Sequence, residues 1–254
     1  MTFLSGRHAV VTGAGAGIGA GIAKALGAAG ARVTLLGRRI DRLKQTADDV
    51  PAAQALACDV ADPSSVSEAF AEARTGFGPI SILVNNAGVA PSAPFEKTRL
   101  EDIQNVLAIN LEGVFLCAQA AISDLKADGA GRLINIASTA GLKGYPYVSA
   151  YVASKHAVVG LTRALALEYA RKDVTVNAIC PGFTDTAIVE ASVENIIDKT
   201  GRSREEAIAS LVSSNPQGRL ISVDEVAQTV LWLCQDSARS ITGQAIAVAG
   251  GEVM

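Results

Sequence analysis

The sequence predicts an α/β fold: a single domain over residues 1–254, built on a doubly wound, seven-stranded parallel sheet with helices on both faces. Three observations predict it. Seven short, β-branched apolar runs alternate with longer stretches of helical periodicity, the rhythm of parallel strands joined by crossover helices. The runs are too continuously apolar for a sheet with one wet face. No linker, internal repeat or low-complexity tract breaks the rhythm, so one domain is the economical division. With 254 residues, 49% apolar and only 4% aromatic, the chain can bury a large core of small side chains without staples.

The first run is HAVVT (8–12), followed directly by Thr12-Gly13-Ala14-Gly15-Ala16-Gly17-Ile18-Gly19 and a helical pattern. Glycine lets a backbone turn sharply and approach a pyrophosphate, whose charge meets the N–H groups that open the helix. Gly13, Gly17, Ile18 and Gly19 are therefore candidate dinucleotide contacts. Two spacings fit, Gly13-x-x-x-Gly17-x-Gly19 and the looser Gly15-x-Gly17-x-x-Ala20; a plain tight turn is the alternative to both. The second run, RVTLL (32–36), leads to Gly37-Arg38-Arg39, where a NAD-preferring site would carry an acid for the ribose 2′-hydroxyl. Arg38, helped by Arg39, suits a 2′-phosphate instead, so NADP(H) is favoured over NAD(H). A solvated charge pair is the bland reading, and Asp41 lies too far into the next helix to replace the missing acid.

After the third run, QALA (54–57), Asp62-Pro63 reads as an N-cap with proline at the first helical position. The fourth, SILVN (81–85), leads into Asn85-Asn86-Ala87-Gly88. Thr98-x-x-Glu101 reads as a capping box for a helix that buries Ile103, Val106, Leu107, Leu111 and Val114 and carries Asn110. Ser138 closes the fifth run, RLINIA (132–137), at the carboxyl end of a strand, where open α/β sheets bind ligands; its hydroxyl suits a substrate carbonyl. In the helical stretch SAYVASKHAVVGLTRALALEYA, Tyr151 and Lys155 are four residues apart and share a face. An unperturbed tyrosine titrates near ~10, so the ammonium, with a nicotinamide's charge, is expected to lower the phenol toward a working value. On its own such a pair also fits an exposed helix face.

The sixth run, VTVNAI (174–179), continues into Cys180-Pro181-Gly182-Phe183-Thr184. Residues 184–220 then insert charged, helical sequence where a short connection would suffice, with Ser203-x-x-Glu206 as a capping box; they form a candidate substrate lid. Ser222-x-x-Glu225 opens the last helix, which buries Val226, Val230, Leu231 and Leu233, before the seventh run, QAIAVA (244–249).

Several function classes are excluded. The net charge of −3 comes with scattered basic residues, so no nucleic-acid partner is expected. The start, MTFLSGRHAVVTG, lacks a basic and then apolar leader, and no apolar run reaches membrane-spanning length uninterrupted, so a cytoplasmic protein with no membrane partner is expected. Cys58, Cys117, Cys180 and Cys234 form no C-x-x-C pair, and His8 and His156 stand apart, so neither a disulfide scaffold nor a metal site is expected. Cys180 reads as a small buried hydrophobe.

Taken together, the glycine turn, Asn85-Asn86-Ala87-Gly88, Asn110, Ser138, the Tyr151 and Lys155 pair, and Pro181-Gly182-Phe183-Thr184 resemble the short-chain dehydrogenase/reductase family, in the family's order and over essentially the whole chain. The resemblance implies a Rossmann fold and a small-molecule carbonyl or alcohol substrate. It implies that Tyr151 is the acid/base, that Lys155 binds the nicotinamide ribose and depresses the tyrosine, that Ser138 orients the carbonyl, and that Asn110 holds a water in a relay to Lys155. Asp59 and Val60 would flank the adenine, Asn86, Ala87 and Gly88 would support the cofactor, and Pro181, Gly182, Phe183 and Thr184 would complete its contacts, with Thr184 at the carboxamide. Ala16 departs from NADP-preferring relatives, which carry a basic residue there, so cofactor choice rests on Arg38.

The pieces SKHAVVG and CPGF look like those of 3-oxoacyl-thioester reductases and polyketide ketoreductases, which implies thioester reduction. The alternative is a secondary alcohol, sugar-alcohol or steroid dehydrogenase; a nucleotide-sensing scaffold is the non-enzymatic one. Leu142, Tyr145, Tyr147, Val148, Phe183, Ile188 and Val189 are expected around the substrate, and Lys199, Arg202 or Arg204 could meet a pantetheine arm. The family also implies a homotetramer, for which Ala164, Ala166 and Ala170 would allow close packing.

Overall fold

The computed structural model describes residues 2–254, the side chain of Ile188 excepted. Strands β1 (His8–Thr12), β2 (Arg32–Gly37), β3 (Ala53–Ala57), β4 (Ile82–Asn85), β5 (Arg132–Ile136), β6 (Thr175–Pro181) and β7 (Ala245–Val248) form one sheet in the order β3-β2-β1-β4-β5-β6-β7. Every neighbouring pair is parallel. The doubly wound sheet read from the sequence is therefore the observed one. β6 runs on to Pro181 because Pro181 still pairs with Val248 of β7.

Strand alternation divides the core into two layers. Val11, Leu35, Val84 and Ile134 face helices α1 (Gly17–Ala28), α2 (Ile40–Ala47) and α9 (Val223–Leu233), meeting Ile22, Leu26, Leu43, Val226 and Val230. Val10, Leu36, Leu83 and Leu133 face α3 (Pro63–Phe77) and α5 (Gly113–Ala127), meeting Val66, Phe70, Cys117 and Leu125. Each fully buried side chain of this size contributes about 1.5–3 kcal/mol relative to exposure.

Three of the four expected helix starts stand as read. Asp62 accepts the Ser64 N–H at 2.9 Å ahead of Pro63. Ser203 with Glu206 opens α8 (Arg204–Leu211), and Ser222 with Glu225 opens α9. The box expected at Thr98 and Glu101 is displaced by one residue. A 3-10 turn at Phe95–Lys97 draws the Thr98 hydroxyl back to the Pro94 carbonyl, at 3.2 Å. Helix α4 (Leu100–Leu107) therefore begins after Arg99, whose N–H and guanidinium both donate to Asp102.

Helices α4 and α5 join through a π turn at Ala108–Glu112, giving a 28-residue helical stretch, Leu100–Ala127, within which an 18-residue window reaches a mean hydropathy of 1.6. Among the described residues it is the one stretch long and apolar enough to cross a membrane, a continuity the sequence did not suggest. Val106, Val114, Cys117 and Leu125 on it are buried, and its two halves pack on α6 (Ser149–Tyr169), β4 and β5. Residues 184–220 form α7 (Ala187–Thr200) and α8, with a small core of their own around Val189, Val193 and Ala207. Their two ends are tied by a bridge between Thr184 and Ile221.

Candidate active site

The strand order reverses between β1 and β4, opening a crevice at the carboxyl ends of these strands. The turns that follow them are locked together. Thr12 Oγ1 accepts the N–H groups of Asn86 and Ala87 at 2.9 and 3.0 Å, while Asn86 Nδ2 donates to the carbonyls of Thr12 and Gly13. A Cβ on Gly19 would collide with Asn86 Nδ2 and the Gly13 carbonyl, and one on Gly13 would come within 2.9 Å of Ala87 Cα. Gly13 and Gly17 take φ of 65° and 54°, which side chains rarely adopt, whereas Gly15 does not. Between the two spacings, the geometry thus matches Gly13-x-x-x-Gly17-x-Gly19.

Helix α1 starts at Gly17 with Ile18 in its first turn, no capping side chain and no acid. Its free N–H groups and dipole fit a dinucleotide's phosphates. Arg38 and Arg39 follow β2, both exposed, and among the described residues neither side chain has a hydrogen-bond or ion-pair partner. They fit a further phosphate. Arg42, which the sequence did not single out, sets its Cβ over Gly15. Beyond β3, Asp59 accepts the Ala61 N–H and Ser65 Oγ accepts the Asp59 N–H, while buried Val60 packs on Gly113.

Ser138 does not close β5, which ends at Ile136. It caps a 3-10 turn at Thr139–Gly141, its Oγ accepting the Ala140 N–H at 3.1 Å, so the hydroxyl proton remains to be donated. The Ser138 hydroxyl also acts on the Tyr151 phenol, pulling its value down. Lys155 lies over the Tyr151 ring, Nζ 5.6 Å from its centre, and donates to the Ile136 carbonyl at 2.8 Å. Asn110 occupies the π turn, a distortion that often accompanies function. Its buried amide accepts from the Val89 N–H and donates to the Val89 carbonyl, both at 2.9 Å, and to Ser154 at 3.1 Å. Ser154 donates in turn to the Tyr151 carbonyl at 2.7 Å. A Cβ on Gly88 would sit 3.3 Å from Asn110 Oδ1 and 3.7 Å from Lys155 Nζ, so these groups converge on a bare glycine.

Burial pushes the Tyr151 phenol above its ordinary value, with the Ser138 hydrogen bond pulling the other way. Burial also brings the Lys155 ammonium down to about 8. Burial here outweighs any lowering of Tyr151 by Lys155 alone; the lowering expected from the sequence joins the ammonium with a nicotinamide's charge. The ammonium is engaged by Ile136 and lies over the ring, and desolvation acts against both charged forms.

On the substrate side, Tyr147 has φ of 65° and is 66% exposed; with Val148 it borders a cavity of about 200 Å³. Leu142 lines a separate one of about 660 Å³, and neither cavity includes Ser138 or Tyr151. Phe183 meets Tyr145 edge-on, with ring centres 6.2 Å apart. Thr184 is buried, its hydroxyl donating to the Gly182 carbonyl at 3.0 Å, and the Gly182 N–H reaches Val248. Val189 was expected at the pocket but packs into the segment's own core, because α7 turns that face toward α8. Ile188's side chain lies outside the described residues. Arg204 is held by both oxygens of Glu190, which leaves Lys199 and Arg202, of the three, as the exposed cations without a side-chain partner among the described residues. Of the three alanines expected on one outer face, Ala164 and Ala170 are exposed but Ala166 is buried, since two residues on along a helix lie on the opposite side. Cys180 is buried beside Val158 and Ala178, as read. The sequence also missed Thr12 and Glu252, whose partners are remote in the chain.

The family model described as short chain dehydrogenase matches residues 7–196. A chain of Streptomyces violaceoruber named as ketoacyl reductase 1 of the granaticin polyketide synthase is 41% identical over 249 residues, covering 96% of this chain and 92% of that one. D-beta-hydroxybutyrate dehydrogenase of Rhizobium meliloti is 38% identical, covering 96% and 98%. Among solved structures, a variant of actinorhodin polyketide ketoreductase with NADPH superposes with a TM-score of 0.92 at 37% identity, covering 97% of each chain.

Proposed function

Because the chain belongs to the short chain dehydrogenase family, and so is an oxidoreductase working between alcohol and carbonyl, we propose that it uses NADP(H) to reduce a 3-oxoacyl thioester. The observation that carries this reading is the Lys155 ammonium lying over the Tyr151 ring and, with the Asn110 amide, against Gly88, next to Ala87, on which Gly13 of the glycine turn packs. Bound NADPH would supply the hydride, leaving placement and a proton to the protein.

Gly13, Gly17, Ile18 and Gly19 would hold the pyrophosphate, Arg38 and Arg39 the 2′-phosphate, and Asp59 and Val60 the adenine. Asn86, Ala87, Gly88, Tyr151, Lys155, Pro181, Gly182, Phe183 and Thr184 would hold the remainder. Ser138 turns its O–H from the Tyr151 phenol to the substrate carbonyl. Tyr151 gives its phenolic proton to the same oxygen; its raised value keeps that proton in place at neutral pH. Lys155, charged below about pH 8, stabilises the phenolate left behind. Asn110 holds Val89 and, through Ser154, the start of α6, and its backbone carbonyl or second Oδ1 lone pair is the acceptor for a relay water.

Residues 1–254 act as one domain, with 184–220 as the substrate lid. The working form is a cytoplasmic homotetramer that binds neither membrane nor nucleic acid. Fluorescence titration with NADPH and NADH, followed by cofactor absorbance with 3-oxoacyl thioesters, cyclic ketones and secondary alcohols, tests the reading. Tight NADPH binding with thioester turnover supports it, and preference for NADH removes the Arg38 argument. The likeness to a hydroxybutyrate dehydrogenase favours one second reading, a secondary alcohol dehydrogenase, selected by turnover of hydroxy acids or simple alcohols without thioesters.

A further inference from the structure

Glu252 lies in the final turn of the chain, yet its side chain is only 1% exposed. A carboxylate that far from water needs donors. Three arrive at Oε1 from two segments: Tyr145 Oη at 2.7 Å and Lys143 Nζ at 3.1 Å from one loop, and Ser214 Oγ at 2.6 Å from another. Burial pushes this carboxyl up, but the hydrogen bonds from Ser214, Tyr145 and Lys143 outweigh it and keep it below its ordinary value, so it is ionised at neutral pH.

Counting protons orients the cluster. A carboxylate only accepts, so Tyr145 donates its single O–H to Glu252 and accepts that of Thr139, 2.7 Å away. Thr139 follows Ser138 in the turn that Ser138 caps. The Tyr145 ring meets Phe183 and lies under the Lys143 ammonium, 5.0 Å from its centre. Ser214 belongs to the end of the 184–220 segment, whose next residues also press on the tail. A Cβ on Gly250 would collide with the Asn215 amide, and one on Gly251 would come within 3.2 Å of Pro216.

We infer that Glu252 is a positioning residue for the substrate side of the site: one buried carboxylate fastens the end of the 184–220 segment to the loop that carries Ser138. This rests on the function proposed above. It assigns a role in substrate capture to the chain terminus, with Tyr145 and Ser214 as the two arms through which it acts.

The test uses the full chain with Glu252→Gln, Tyr145→Phe, Ser214→Ala and the double variant Glu252→Gln/Ser214→Ala. In Glu252→Gln the NADPH Kd should stay within about twofold and kcat within about threefold, while the substrate KM rises about tenfold. Trypsin should cut at Lys199, Arg202 or Arg204 about ten times faster, because the segment's seat is loosened. The double variant should cost less than the two single changes combined, since Glu252→Gln already weakens the bond that Ser214→Ala removes. A KM within twofold of wild type in Glu252→Gln and Tyr145→Phe overturns the inference, as does a fall of NADPH affinity in step with kcat/KM. If Glu252→Gln does not fold, Ser214→Ala decides, because that residue is exposed; unchanged KM and digestion there overturn the role. Absence of turnover by the wild type on every carbonyl substrate overturns the proposed function and the positioning role with it, whereas unchanged digestion in an active enzyme overturns Glu252 alone.

Discussion

Replacing Gly19 by alanine tests the phosphate turn most directly, because two readings of the glycine spacing predict different outcomes. A Cβ at Gly19 would collide with Asn86 Nδ2 and the Gly13 carbonyl. Neither is a free end: Nδ2 is held by the Thr12 and Gly13 carbonyls at 3.0 and 3.2 Å, and Gly13 is wedged against Ala87. Overpacking of this kind costs about 1–3 kcal/mol. Displacing the amide removes two hydrogen bonds at roughly 0.5–1.5 kcal/mol each. The sum, about 2–6 kcal/mol, reaches only the bottom of the roughly 5–15 kcal/mol stability of a typical domain, so the protein is expected to fold. The Tm should fall by roughly 10 °C. Since the turn must move for the methyl to fit, the NADPH Kd measured by fluorescence should rise at least about tenfold, or about 1.4 kcal/mol. Gly15→Ala is the control: its nearest neighbour is Arg42 Cβ at 3.0 Å, on the exposed start of α2, which can give way. It should change Kd by less than about threefold. A Gly15→Ala variant that weakens NADPH binding more than Gly19→Ala would refute the reasoning and restore the Gly15-x-Gly17-x-x-Ala20 reading.

Tyr151→Phe removes the proposed acid without moving the ring; kcat, followed by cofactor absorbance, should fall by about 10²- to 10⁴-fold with NADPH affinity unchanged, and retained turnover would remove Tyr151 from the chemistry. Arg38→Ala should raise the NADPH Kd about tenfold and leave the NADH Kd unaltered, since among the described residues the side chain has no partner to lose; equal effects on both cofactors would contradict its assignment to the 2′-phosphate. Lys155 gives a pH signature. Its native value of about 8 lies below that of an unfolded lysine, so the unfolded chain binds more protons above pH 8 and stability rises with pH there. Relative to Lys155→Met, the wild type should gain about 2 kcal/mol between about pH 8 and about pH 10 in urea unfolding, and a constant difference would show that Lys155 keeps an ordinary value.

Much of the fold was legible because its signals are local. Runs such as RLINIA and HAVVT are apolar on both faces, and Ser203, Ser222 and Asp62 cap helices with partners two or three residues away. Thr98 shows where that logic fails: its box is correct as a pattern, but a preceding 3-10 turn takes the hydroxyl backward. The candidate site was legible as spacing, Tyr151 and Lys155 on one helix face and Ser138 past a strand. Its electrostatics were not, because desolvation depends on what covers these groups. Val189 was assigned to the substrate pocket and Ala166 to an outer packing face by proximity in sequence, and helix rotation turned both inward.

The sequence by itself determined the alternating parallel architecture, the glycine turn that opens α1 and the candidates for the reacting groups. Those follow from periodicity, φ preference and side-chain chemistry, which act over a few residues. Only the tertiary structure decided that Asn86 braces the phosphate turn from 74 residues away, that Asn110 holds Val89 and Ser154 from a π turn, and that Glu252 reaches Tyr145 across 107 residues. Hydrogen bonds at such separations depend on strand order and on which loops meet at the carboxyl edge of the sheet. No local pattern encodes that meeting; it exists once the apolar faces have packed and the polar groups left between them must find partners.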